Sequence, residues 1–332
     1  MLSLMSVNEE IETMRNRCVK CGNCIKVCPS YKHGGCNPMS LVNGTSTDVQ
    51  YCIGCGNCTT VCKKLDPAKL IQRLIYSIKN KQFPKCAEET GYVMPLLKNE
   101  CPQPIWSGDD VSLMPGCVVK CKAPFIEYAA SVALYGMKIA AKEIPISACC
   151  THPVVFRSMS DKDCIKLIAK MHDSASDSEI ITLCGGCSYE FNNAGYNASH
   201  IIHFFHNNIE KLPKIKNKIK ISLEPGCAAM PLLDEMTEIA EYMGFEYVRN
   251  EAGCCGKSIE MAPKMMEERI SASKDAEIIV VGCPMCFLKY DSLESGKPVM
   301  HISELVAYAF GNTESMKYHN IKLKSLGTEN TA

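Results

Sequence analysis

From residue 111 onward the chain switches between two apolar periods, and it runs through the same switch twice. A short β-prone run ends in Pro-Gly-Cys, VSLMPGC to Cys117 and KIKISLEPGC to Cys227. An amphipathic helical stretch follows each run and leads to two adjacent cysteines, Cys149–Cys150 in ISACCTHP and Cys254–Cys255 in EAGCCGKS. A second helical stretch gives way to β-branched residues ending in Cys-x-x-Cys. These are EIITLCGGC, with Cys184 and Cys187, and EIIVVGCPMC, with Cys283 and Cys286. Strands alternating with helices predict parallel sheets, whose functional groups gather at the carboxyl ends of the strands. Every cysteine of the repeat falls near such an end. The apolar stretch 124–142 is interrupted by Glu127 and Lys138, about three helical turns apart, which predicts an amphipathic helix and no membrane span. Between 80 and 110 prolines and charges occur with no steady period, as in a linker.

Composition changes the picture in one respect. The 332 residues carry 36 basic and 36 acidic side chains, so nothing suggests a nucleic-acid surface. Twenty-three cysteines are the outlier. The start, MLSLMSVNEEIETMRNR, has too short an apolar stretch for a signal peptide and turns acidic at once. The expected compartment is cytoplasmic, where thiols stay reduced and clustered cysteines serve as metal ligands or catalytic groups. Adjacent cysteines do not easily bridge each other, because a disulfide needs separations and a dihedral that a trans peptide does not supply.

The first eighty residues hold two four-cysteine runs. Cys18, Cys21, Cys24 and Cys28 precede Pro29, and Cys52, Cys55, Cys58 and Cys62 repeat the spacing without the proline. This is the bacterial ferredoxin run, in which the fourth cysteine serves the other cluster. Cys18, Cys21, Cys24 and Cys62 are expected to hold one [4Fe–4S] cubane, and Cys52, Cys55, Cys58 and Cys28 the second. Gly22, Gly54 and Gly56 let the backbone approach the sulfurs. Zinc would use one or two such pairs, not two complete runs.

The fold class expected is α+β and α/β: an N-terminal two-cluster ferredoxin-like helical domain followed by two pseudo-repeated α/β cysteine-rich halves. The expected boundaries are 1–80 for the ferredoxin-like domain, 81–110 for the linker, and 111–212 and 213–332 for the halves. In each half five thiolates converge: Cys117, Cys149, Cys150, Cys184 and Cys187 in the first, Cys227, Cys254, Cys255, Cys283 and Cys286 in the second. Five ligands exceed what a simple cubane or a zinc ion takes, and they suit a cluster whose neighbouring irons are held by neighbouring residues. Cys36, Cys86, Cys101 and Cys164 are expected to remain thiols, and Cys121 to be a packed thiol beside Cys117.

The spacings C-x31-CC-x33-C-x2-C and C-x26-CC-x27-C-x2-C, with SACCTHPVVF, TLCGGC, GCPMCFLKYD and PVMHISELVAYAFG, resemble the twin cysteine-rich domains of the catalytic, B-type polypeptide of heterodisulfide reductase. The N-terminal domain is similar to that family's electron-delivering, C-type polypeptide, and the order matches the fused, D-type form in which the two are one chain. The resemblance implies two non-cubane [4Fe–4S] clusters facing each other, with CoM–S–S–CoB cleaved between them. It also implies redox partners: another iron–sulfur, flavin or cytochrome protein, the last placing the chain at a membrane surface. The wider superfamily includes iron–sulfur components of flavin-linked hydroxy-acid dehydrogenases, but no G-x-G-x-x-G occurs, so any flavin sits on a partner. The chain departs from the family in a shortened second copy and in Ala228 and Ala229, where a polar and aromatic pair is expected. A second reading therefore stands beside the reductase: an electron relay in a methanogen complex, for instance one that activates methyl-coenzyme M reductase.

Other side chains carry weaker expectations. His152 and His301 are candidates to donate a proton or to hydrogen-bond a thiolate. Lys120, Lys122, Arg157 and Lys257 are candidates to hold a charged coenzyme, Arg157 first. His200, His203 and His206 read as one helix face, and Met265 and Met266 as core.

Overall fold

The structure, a computed structural model, describes residues 7–78, 89–92, 94–96, 101–152, 161–256, 259–293 and 297–321. The N-terminal domain is built from α1 (Val7–Arg15), α2 (Asn23–Lys26), α3 (Pro29–Lys32), α4 (Pro38–Asn43), α5 (Asn57–Thr60) and α6 (Pro67–Ile78). The long helices α1 and α6 pack together, tied by Arg73 Nε donating to Glu10 Oε2 at 3.0 Å. The short helices α2 and α5 each start from a left-handed glycine, Gly22 at φ 77° and Gly56 at φ 82°. That conformation is open to glycine at little cost and turns the chain sharply after each Cys-x-x-Cys.

The remainder holds two four-stranded parallel sheets of identical order. In the first, β1 (Val111–Met114), β2 (Ala141–Glu143), β3 (Glu179–Thr182) and β4 (Ser199–His200) run β2-β1-β3-β4. In the second, β5 (Lys220–Glu224), β6 (Glu246–Arg249), β7 (Ile278–Val281) and β8 (Val299–His301) run β6-β5-β7-β8. The registers correspond as well, with Val111 opposite Ala141 and Glu179, and Ile221 opposite Tyr247 and Ile278. All four residues of β1 and of β7 are buried, as expected for central parallel strands covered on both faces.

The first half carries α7 (Cys117–Lys122), α8 (Pro124–Gly136), α9 (Asp161–Ser174), α10 (Gly185–Asn193) and α11 (Ile201–Asn207). The second carries a 3₁₀ turn over Cys227–Leu232, then α12 (Leu233–Met243), α13 (Ala262–Ala272), α14 (Pro284–Asp291) and α15 (Ile302–Ala309). The halves meet helix against helix: α8 lies on α15, and α11 lies on α12. Gly136 permits part of this, because a Cβ there would sit 2.8 Å from the Phe310 ring. One apolar core consequently spans both sheets, with Leu113 and Ile181 joined to Leu223 and Val280. Met266 belongs to that core, and Met265 packs with Ile53 and Cys254 where the N-terminal domain rests on the second half. Glu268 of α13 completes that contact by pairing with Lys32 and, at 3.0 Å, with His33 Nε2.

Candidate functional site

Every described cysteine is free of disulfide bonding. In the N-terminal domain the cysteines gather around two cavities. Cys18, Cys21, Cys24 and Cys62 line one cavity, and Cys28, Cys52, Cys55 and Cys58 line another. Cys28 reaches the second cavity because Pro29 starts α3 and turns the chain away directly after it. Burial pushes the Cys24 thiol up, and the nearby charges of Cys18, Cys21 and Cys62 push the same way. Burial also pushes Cys55 up to about 12, with the charge of Cys227 in the second half as the next cause. Cys36, expected to be a bystander, is buried in the second cavity beside this set. Its contacts with Cys28 and Cys52 push its own thiol far up, and its bond to Cys28 is the first cause that holds Cys28 down.

In the repeat the Pro-Gly-Cys corners end β1 and β5. Gly116 (φ 80°) and Gly226 (φ 88°) both need the left-handed region, and both lie close under the cysteine loops. A Cβ on Gly116 would sit 2.9 Å from Cys187 Sγ, and one on Gly226 would sit 2.7 Å from Cys283 Cβ. Behind these corners the adjacent cysteines point to different neighbours. Cys149 Sγ is 3.8 Å from Cys117 Sγ, whereas Cys150 Sγ is 3.3 Å from Cys187 Sγ. The second half repeats the division, Cys254 bonding Cys227 and Cys255 bonding Cys286. Adjacent cysteines thus span two sulfur pairs.

Within the sets some thiols are pushed up and others held down. Hydrogen bonds given to Cys150 and to Cys227 are the first cause that pushes Cys187 and Cys254 up, and burial is the first cause for Cys149. Hydrogen bonds received hold Cys150, Cys184 and Cys255 well below the usual thiol range. One of these bonds crosses between the halves, from Cys283 to Cys184.

A cavity of about 390 Å³ lies where the three parts meet. Cys117, Cys150, Cys184 and Cys187 line it from the first half, Cys227 and Cys283 from the second, and Gln50, Cys52 and Ile53 from the N-terminal domain. His152 lines it too, with Nδ1 bonded to Glu190 Oε1 at 2.9 Å. Gly186 makes room for that ring, since a Cβ there would meet His152 Cδ2 at 2.5 Å. Ala228 and Ala229 also face the cavity. A Cβ on Gly185 would sit 2.9 Å from Ala229 Cβ, so the chain packs closely against Ala229 at that point.

The remaining candidates lie elsewhere. His301 is fully buried at the start of α15, its Nδ1 accepting from Ser303 N and its Nε2 donating to Leu183 O at 3.1 Å. His200 caps α11 in the same way and donates to Gly282 O at 3.0 Å. His203 and His206 pair with Glu235 and Glu238 on α12. Lys120 is held by Glu127 at 2.8 Å and Glu143 at 2.7 Å, away from the cavity, and Lys122 is exposed. Arg157, Lys257 and Cys86 lie outside the described residues. Cys121 is buried and donates to Met94 O at 3.1 Å. Cys101 and Cys164 are half-buried, and burial pushes Cys101 up to about 11.

One group at the site had no signal in the spacing of motifs. Arg269 of α13, 1% exposed, donates from Nη1 to Cys286 Sγ at 3.3 Å and pairs on its other side with Glu224. Glu224 Oε1 also accepts from Asn250 at 2.6 Å, Ser273 at 2.9 Å and Tyr290 at 2.8 Å.

Soft thiolate donors suit zinc, copper(I) and iron–sulfur groups. Among the described residues no three His, Cys, Asp or Glu side chains converge on a single ion. Sulfurs set several together around the N-terminal cavities and the larger one between the halves instead fit polynuclear iron–sulfur groups, whose metals span several ångströms.

Comparison with known proteins agrees with this geometry. Residues 10–63 match the 4Fe-4S dicluster domain, and residues 111–192 and 221–291 each match the cysteine-rich domain. The B-type polypeptide of the ferredoxin/F420H2-dependent CoB–CoM heterodisulfide reductase of Methanosarcina acetivorans is 24% identical over 268 residues, covering 60% of this chain and 89% of the relative. Its counterpart in the ferredoxin:CoB–CoM heterodisulfide reductase of Methanosarcina mazei is 23% identical over 270 residues, with the same coverage. A crystal structure of a hypothetical protein from Helicobacter pylori shares the fold at a TM-score of 0.52 and 9% identity, over 97% of this chain and 77% of that one. None of the described helices is long and apolar enough to cross a membrane. The chain thus joins a 4Fe-4S dicluster domain to two cysteine-rich domains and is homologous to the B-type polypeptides of heterodisulfide reductase.

Proposed function

We propose that this protein is an iron–sulfur oxidoreductase of the heterodisulfide reductase type, which passes single electrons inward and cleaves a disulfide in the cavity between its halves. The observation that carries the reading is the 390 Å³ cavity, walled by cysteines of both halves and touched by Cys52 of the N-terminal domain. Cys18, Cys21, Cys24 and Cys62 would hold one cubane, and Cys28, Cys52, Cys55 and Cys58 the other. Each set of five in the repeat would hold a further four-iron group. Neighbouring sulfurs mark the route. Cys24 lies within electrostatic reach of Cys58, Cys55 within reach of Cys227, and Cys283 hydrogen-bonds Cys184.

Electrons would enter at the outer edge of the first N-terminal set. Cys21 is exposed there, Val19 is 62% exposed, and Arg17, Lys20, Lys26, Lys63 and Lys64 are exposed around it. No acidic residue occurs between Thr13 and Thr47 or between Val49 and Leu65. Such a face suits an acidic one-electron donor protein.

Cleaving R–S–S–R′ consumes two electrons and two protons and releases two thiols. Iron–sulfur groups, when bound, supply the electrons one at a time. The chain supplies the rest. The apolar walls around Val118, Ile259 and Met285 exclude water. Because Nδ1 of His152 is held by Glu190, Nε2 is the atom that can pass a proton to a leaving thiolate. The relatives' names, CoB–CoM heterodisulfide reductases, support CoM–S–S–CoB as the disulfide. The relay reading has its own support: no lysine or arginine appears among the described cavity-lining residues to meet a charged coenzyme, and Ala228 and Ala229 occupy part of the wall.

Reduced viologen and CoM–S–S–CoB, added anaerobically to the cluster-loaded full chain, decide between the two. The reductase releases two free thiols per disulfide. A fully loaded protein that releases none is the relay.

A further inference from the structure

The two cysteine-rich halves match strand for strand, but the layer behind their sulfurs does not. Glu224 and Met114 both precede Pro-Gly-Cys, and Tyr290 and Phe191 both stand four residues past the second cysteine of Cys-x-x-Cys. Asn250 and Ile144 make the same backbone bond, to Leu223 O at 3.1 Å and to Leu113 O at 2.9 Å. Ser273 and Ala175 each end a helix by bonding the carbonyl three residues earlier, which pairs Arg269 with Met171 four residues before them. The second half thus has Glu224, Asn250, Arg269, Ser273 and Tyr290 where the first has Met114, Ile144, Met171, Ala175 and Phe191. All ten are buried to 2% exposure or less, and the first-half five share one apolar cluster with Cys150 and Cys187.

A buried arginine is costly unless its charge is met. Arg269 has two partners of different kinds. Glu224 takes Nε at 2.9 Å and also Nη2, and Cys286 Sγ takes Nη1. The Tyr290 ring stacks beside the guanidinium at 5.3 Å, and the network fixes its orientation. Glu224 therefore lies behind the guanidinium and Cys286 in front, so the positive end of the pair faces the sulfur. Positive charge at a cluster ligand favours the reduced state, and apolar surroundings do not.

We propose that Arg269, acting through Cys286, makes the two cysteine-rich sites electronically unequal and raises the reduction potential of the second-half site above that of the first. An electron arriving through Cys55 and Cys227 then rests in the second half before it crosses at Cys283 and Cys184. Arg269 is a positioning residue and touches no substrate. The inference rests on the reading that Cys286 is a cluster ligand.

The test is an EPR-monitored redox titration of the cluster-loaded full chain against two variants. Glu224→Met with Arg269→Met copies the first half and leaves no unpaired carboxylate. Arg269→Lys keeps the cation but loses the fixed fork. The expected result is a lower midpoint potential for the second-half signal in the double variant, a smaller shift in the same direction for the lysine variant, and an unmoved first-half signal. Unchanged second-half potentials at wild-type iron content, or equal shifts at both sites, overturn the proposal. Failure of the underlying reading looks different: Cys286→Ser then leaves the iron content and every signal of the wild-type protein unchanged.

Discussion

His301 of the second half donates Nε2–H to the carbonyl of Leu183 in the first half at 3.1 Å, and the next residue after Leu183 is Cys184. The pseudo-symmetric bond runs the other way, from His200 of the first half to Gly282 O at 3.0 Å, just before Cys283. Each histidine also caps its own helix through Nδ1. The pair ties together the two Cys-x-x-Cys loops, whose Cys184 and Cys283 both line the cavity.

Removing one of these bonds leaves a buried carbonyl without a donor. His301→Asn keeps a capping side chain but is too short to reach Leu183. It is expected to cost about 1–3 kcal/mol, read as a lowered denaturation midpoint with unchanged m-value. A midpoint equal to wild type would remove this bond from the interface.

Acid should act on the same contact. Burial pushes the His200 ring down to about 4, and the neighbouring His301 adds to the effect. A histidine whose folded value is depressed contributes stability that is present above its unfolded value, roughly 6.5, and is lost as pH falls toward the folded value. The full effect is about 3 kcal/mol, lost between about pH 6.5 and pH 4. His200→Asn should flatten that part of the stability profile, while acid damage to thiolate sites affects both proteins alike. Parallel profiles for the two proteins would contradict the assignment.

Crossed ligation in the N-terminal domain is checked by Cys28→Ser. The group near Cys52, Cys55 and Cys58 is expected to be lost or altered, and the one near Cys18, Cys21 and Cys24 kept, because Cys28 lines the former cavity. EPR of the variant distinguishes the two, and loss of the sequence-adjacent group would refute the crossing.

Electron entry at the basic face is checked by salt. Replacing Lys20, Lys63 and Lys64 with glutamate should slow reduction by an acidic ferredoxin about tenfold or more at low ionic strength. The gap to wild type should narrow above about 0.1 M salt, where charges are screened beyond roughly 10 Å. Stopped-flow rates that do not differ at any salt would move the entry point elsewhere.

Much of this architecture was legible because it is local in sequence. The Pro-Gly-Cys corners, the β-branched runs before Cys184 and Cys283, and the two ferredoxin runs each state their element and their chemistry within a short stretch. What was not legible depends on contact between segments far apart. His200 reads as one face of a helix with His203 and His206, but it is the cap, and its partner Gly282 is 82 residues away. Arg269 sits in an unremarkable amphipathic run, and only the fold brings it against Glu224, 45 residues earlier, and Cys286. Ala228 and Ala229 read as lost binding groups, whereas in the structure they are where Gly185 meets the other half.

The central claim is that both cysteine-rich halves hold iron in addition to the two N-terminal cubanes. Anaerobic iron analysis of the reconstituted full chain tests it most directly. Four four-iron groups give about 16 iron atoms per chain. A value that saturates near about 8, the content of two cubanes alone, would contradict the account.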